Sequence, residues 1–228
     1  MKLVKKSICI MILISFIFTG CSTFKLIPKA LEYYTGLPAC FWEGFGAGAA
    51  VGVAYKLINE KGDVTTKDLL KAGLIGGITG GALSCLIVHH LKKRNEILIA
   101  QKDSLQDRVN IARQTNKDLE VYKNKLAEIY DQRKKELTNL KNMRGQSQKK
   151  LAKAKKLQTK IKNDIKSTEN MIIEAQTTLT QLKKRKEKSG SSKDLDNEIA
   201  EWTNNLKELK GQQNAFASIN TEIENGRI

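Results

Sequence analysis

Proline is almost missing from this chain, with two residues in 228, and tryptophan and histidine are equally scarce. Aromatic residues amount to 6%. A β-sandwich or a doubly wound enzyme needs many turn formers and large core anchors, so both folds are poorly served by this composition. The two histidines are adjacent, the four cysteines are scattered, and no Gly-Lys-Ser/Thr run occurs. Little is left from which to assemble a catalytic or phosphate-cradling site. No enzymatic activity, no cofactor and no metal are expected. Acid is also short: 24 Asp and Glu stand against 40 Lys and Arg, a formal charge of +16. What abounds in the second half is Lys, Glu, Gln, Asn and Leu, the composition of long helices, so the expected fold class is all-α.

Residues 1–20 read as a secretory signal. Lys2, Lys5 and Lys6 are followed by the apolar run 7–19, which is short for a spanning helix. Phe18-Thr19-Gly20-Cys21 resembles the lipobox of bacterial lipoproteins, which implies cleavage before Cys21 and attachment of acyl chains to its thiol. Ser22 after that cysteine implies sorting to the outer membrane. Several acyl chains suffice to hold a protein to a leaflet, and residues 21–38 would be a lipidated linker.

Residues 39–91 form a candidate membrane hairpin. Two apolar segments, 41–55 and 72–88, flank the polar stretch 59–63. Gly44, Gly48 and Gly52 recur four apart in the first segment, and Gly73, Gly77 and Gly81 in the second, so each trio shares one helix face. Such faces let helix backbones approach closely in a bilayer, where van der Waals contact drives pairing. An antiparallel fold about Gly62 and Asp63 sets Gly44 against Gly81, Gly48 against Gly77 and Gly52 against Gly73. It also levels Cys40 with Cys85, a candidate disulfide in an oxidising compartment. The repeat resembles the glycine-zipper hairpin of SlyB-like outer-membrane lipoproteins, and that resemblance covers about residues 21–92, with nothing of the helices beyond. Parity of the spans places those helices in the periplasm. His89 and His90 point about 100° apart on a helix, share no ligand one turn away, and read as interfacial residues.

From Leu98 a heptad row runs through Leu105, Ala112, Leu119, Leu126, Leu140, Ala154, Ile161, Ala175 and Leu182. Its partner row runs through Val109, Tyr130, Leu137, Leu151, Ile165, Ile172 and Leu179. This predicts a sustained coiled-coil seam, and one helix over 92–188 some 147 Å long from Leu91 onward, weakest at Gly145. The Ser-Gly-Ser-Ser of 189–192 breaks it, and Leu195, Ile199, Trp202, Leu206, Leu209, Phe216 and Ile223 begin a return helix within 193–228. An antiparallel return brings Leu182 to Ile199, Leu179 to Trp202, and Thr168 to Gln213, and ends near residue 158. Residues 98–150, with Asn116, Lys123 and Arg133 in their seam, would then lack a partner within the chain. Either a homo-oligomeric stem or a groove for another envelope protein follows.

Charge is uneven. Nine basic residues and no acid lie between Glu136 and Asp164. Within that run Lys149, Lys150, Lys153, Lys155 and Lys156 form a candidate polyanion-binding set, suited by the periplasmic address to peptidoglycan, lipopolysaccharide or anionic lipid rather than to nucleic acid. The expected protein is an outer-membrane lipoprotein with a scaffolding role, whose glycine-zipper hairpin self-assembles and whose coiled coil tethers or spaces envelope components. The competing expectation is an oligomeric channel, or a subunit of a secretion or efflux conduit.

Overall fold

A computed structural model of the chain describes residues 80–101, 103–143 and 147–226. Among the described residues there are four helices and no strand: α1 (Gly80–Ile99), α2 (Leu105–Lys141), α3 (Ser147–Ser189) and α4 (Lys193–Glu224). Leu83–Ile228 forms one compact unit, and Met1–Ala82 forms another.

The predicted single helix over 92–188 is broken twice. Gln101 takes a left-handed backbone at φ +54, ending α1, and Ser104 then caps α2. The Ser104 side chain accepts from the Asp107 main-chain N–H while the Asp107 carboxylate accepts from that of Ser104, a reciprocal capping box. At the second break α2 stops at Lys141, with the Asn142 N–H closing on Thr138 and Leu140 carbonyls. Arg144 and Gly145 lie outside the described residues. Gly190, at φ +86, ends α3, and the Ser192 hydroxyl caps α4 by accepting from Leu195.

The breaks change the partners. Arg133 reaches Asp164, and Arg108 reaches the Arg185 carbonyl, so α2 and α3 are antiparallel. Lys186 to Asp196 and Gln158 to Glu224 fix α3 antiparallel to α4. Arg113 to Glu198 and Lys141 to Glu222 set α4 parallel to α2. Residues 105–141, expected to lack a partner in the chain, are therefore paired with both α3 and α4. Helix α1 runs beside this hairpin: Ser84 donates to the Ser167 carbonyl, Thr178 to the Leu91 carbonyl, and Arg94 to Thr115. On α2 the residues facing α1 (Thr115, Asp118, Tyr122) and those facing α4 (Arg113, Asn116, Lys123) take opposite edges of the buried stripe. Along α1 the order is up-down-up-down.

A two-row seam widens to three rows. Besides Ala112, Leu119, Leu126, Ala154, Ile161, Ala175 and Leu182, the rows Arg108, Thr115, Tyr122, Ile129 and Leu157, Asp164, Met171, Thr178 are buried. A stripe of that width faces two neighbours and belongs to a bundle rather than to a two-stranded rod. Leu105 and Leu151, expected in the seam, are exposed.

The predicted membrane hairpin is not supported in the part of its second segment that the structure describes. Leu83, Leu86, Ile87 and Leu91 are fully buried in a helix that continues through Lys92 and Lys93 to Ile99, and Ser84 and Leu91 bond to α3. Among the described residues no helix is long and apolar enough to cross a membrane. The remaining hairpin residues lie outside the described ones.

Gly211 sits in the exposed interior of α4, and a Cβ added there meets no atom within 4 Å. Gly211→Ala should therefore raise stability by about 1 kcal/mol, read as a rise in melting temperature of roughly 3 °C.

Candidate polyanion-binding face

The five candidate lysines occupy the first third of α3. Lys149, Lys153, Lys155 and Lys156 are exposed and Lys150 is half-buried. Lys149, Lys153 and Lys156 share a spacing of four and three with Lys160, which places the four on one stripe. Lys155 lies across the helix with Lys162 and Lys166. The structure thus splits the set: three lysines form a row, Lys155 faces away from it, and Lys150 turns toward the bundle. Lys160 is tied to Glu136 at 2.9 Å and Lys162 to Glu224 at 3.1 Å. None of the five candidates has an ion pair among the described residues.

Where the row meets α2 there is an open groove of about 310 Å³, with Leu140, Met143 and Leu157 at its base and Glu136, Lys153 and Lys156 at its rim. Beneath it Arg133 holds Asp164 at 2.8 Å and Glu136 at 3.1 Å. Burial raises the Asp164 carboxyl above the ordinary aspartate value, and the Arg133 guanidinium offsets only part of that shift. The folded chain then holds this proton more tightly than the unfolded chain, so the stability linked to it is complete below the unfolded pKa and is lost as pH rises through the raised one. Wild type should gain melting temperature relative to Asp164→Asn as pH falls from 7 toward 4. A difference that does not vary with pH would contradict this. Asp107, Asp196, Glu208 and Glu224, whose hydrogen bonds lower their pKa values, are common to both proteins and cancel in the comparison.

The polar seam positions have intramolecular partners. Asn116 donates to the Glu198 carbonyl and carboxylate, Lys123 reaches Asn205 and Glu208, and Arg133 reaches α3. Thr168 meets Tyr122, at 2.9 Å between hydroxyls. Burial pushes the Tyr122 phenol up to about 12, against hydrogen bonds from Thr168 and Ser84. His90 lies 3.7 Å from Asp118, which Arg94 approaches at 2.8 Å, so the histidine pair and the basic run after Leu91 border α2. Among the described residues no three His, Cys, Asp or Glu converge as metal ligands.

Of the remaining candidates, Gly81 lies in α1, half-buried. Cys85 is disulfide-bonded. Cys21, Cys40, Gly44, Gly48, Gly52, Gly73 and Gly77 also lie outside them. Sequence reasoning missed the buried cluster of Asp103, Arg108 and Arg185. Ser104-Leu105-Gln106-Asp107 was the readable sign that a new helix starts there. The chain matches no protein family, no curated protein and no solved structure.

Proposed function

We propose that this is an outer-membrane lipoprotein, anchored through Cys21, whose helical bundle is a periplasmic tether that holds an anionic envelope polymer on the α3 lysine row. The carrying observation is the contrast within the bundle. Lys123, Arg133, Lys141, Lys160 and Lys162 each face an acid from another helix, whereas Lys149, Lys153 and Lys156 form a row with none among the described residues. Uncompensated charge of this kind attracts polyanions with salt-sensitive affinity.

Intramolecular closure of the seam favours a tether over a conduit built of coils from several copies. Self-assembly is assigned to the glycine faces of 44–52 and 73–81, and Cys40 to the Cys85 disulfide. No catalytic step belongs to this reading.

Retention of the mature protein on isolated peptidoglycan sacculi and on lipopolysaccharide tests it. The triple variant Lys149→Gln, Lys153→Gln, Lys156→Gln should lose about tenfold in retention on one of the two at about 0.1 M salt, and Lys155→Gln alone much less. Retention on both that ignores the triple variant would sink the proposal.

A further inference from the structure

A second basic site lies between α3 and α4. There a groove of about 430 Å³ has Leu179 and Leu206 at its base, with Lys183 from α3 and Lys207 and Lys210 from α4 around it. All three lysines are exposed, and none has an ion pair among the described residues.

The placement runs against the charge pattern of its own helix. α4 carries seven acids, from Asp194 to Glu224, and only three lysines. Its acids answer cations on the neighbouring helices along its length: Asp196 to Lys186, Glu198 to Arg113, Glu208 to Lys123, Glu222 to Lys141 and Glu224 to Lys162. At this groove the sign is inverted, and two of the three α4 lysines are set against a lysine of α3. Like charges facing across helices are destabilising unless an anion lies between them.

The neutral groups narrow the chemistry. Thr180 and Thr203 spend their hydroxyl hydrogens on the Gln176 and Ile199 carbonyls, at 2.9 and 2.8 Å, leaving the Gln176 amide as the neutral side-chain donor. A ligand would be held by three ammonium groups acting as point charges. A single carboxylate brings one charge and two oxygens to them. A phosphate monoester or a diphosphate brings two or more charges and at least three acceptor oxygens, and lysine suits phosphate in this role.

We infer that the α3–α4 groove binds a phosphate monoester or diphosphate group through Lys183, Lys207 and Lys210, independently of the Lys149, Lys153 and Lys156 row. The apolar base makes room for whatever carries the phosphate.

The test is calorimetric titration of the detergent-solubilised full mature chain with inorganic pyrophosphate, beside flotation with phosphatidylcholine vesicles with and without phosphatidic acid. Binding in the first arm identifies a soluble phosphate, and in the second alone a lipid headgroup. In the responding arm K183Q/K207Q/K210Q should weaken binding at least about tenfold, while K149Q/K153Q/K156Q leaves it within about twofold. The lysines are exposed, so circular dichroism of the variant should match wild type. Should the triple variant fail to fold, K183Q, K207Q and K210Q singly should each cost about threefold. No binding in either arm, binding indifferent to the groove variants, or equal loss from both lysine sets would overturn the inference.

Discussion

A chain ended after Gly190 should fail to fold cooperatively. Removing α4 takes Trp202, Leu209 and Phe216, all completely buried, and Leu206, buried at 5% exposure, out of the bundle. Burial of side chains this size stabilises by about 1.5–3 kcal/mol each, so the four together represent on the order of 10 kcal/mol, comparable with the whole stability of an ordinary domain. The loss is compounded on α2, where Asn116, Lys123 and Lys141 part from Glu198, Asn205, Glu208 and Glu222. Urea unfolding followed by circular dichroism should show a broad, shallow change in place of a sigmoid, with self-association in sedimentation as the stripes of α2 and α3 meet those of other copies. A truncated chain that melts sharply as a stable oligomer would mean that the α2 seam is built for partner chains and that α4 is a substitute for them.

The rows of apolar residues and the pairing of α3 with α4 were readable because heptad spacing and a Ser-Gly-Ser-Ser turn are local signals. Leu195, Ile199, Trp202, Leu206, Leu209, Phe216 and Ile223 are all buried in α4. The fold-back of α2 was not readable in the same way, since the spacing of seven runs from Leu140 to Ala154 without a change of register. Continuity of a heptad does not distinguish one rod from two antiparallel helices when the turn keeps the phase. The third buried row distinguishes them, and it was obscured because Arg108, Thr115, Asp164 and Thr178 are polar. Their burial follows from partners far along the chain: Arg94 for Thr115, Arg133 for Asp164, and the Leu91 carbonyl for Thr178. Hydropathy also misplaced residues 83–88, because an apolar helix flank fits a bundle groove as well as a bilayer. The lysines of the α3 face were legible as a charge run. Their division into a row and an outlier needed the helix, and the Lys183, Lys207 and Lys210 groove needed both helices, since its members lie up to 27 residues apart.

Arg108→Leu should be the most damaging single substitution of a charged residue, costing about 3–5 kcal/mol. The Arg108 side chain is 3% exposed and its Nε lies 3.1 Å from Asp103, whose side chain is fully buried. Its guanidinium also donates to three carbonyls at the end of α3: Gly190 at 2.9 Å, and Arg185 and Ser189 at 3.3 Å each. One side chain thereby ties the start of α2 to the C-terminus of α3, where the helix dipole favours a cation and the last carbonyls lack helical partners. Leucine would strand those carbonyls and leave Asp103 to Arg185 alone, at 2.9 Å. Arg108→Lys should restore little, because an ammonium on a flexible stem cannot reproduce a planar fork spread over three carbonyls and a carboxylate. Arg113→Leu is the control: Arg113 also pairs across helices, with Glu198 at 2.9 Å, but its side chain is 45% exposed, and its loss should cost less than about 1 kcal/mol. Asp103→Asn combined with Arg108→Leu should cost less than the two single changes added, since each single change strands a buried charge that the other removes. Chemical denaturation of the five variants, Asp103→Asn alone among them, measures all of these terms, and equal costs for Arg108→Leu and Arg113→Leu would mean that the buried cluster does not hold the α3–α4 turn onto α2.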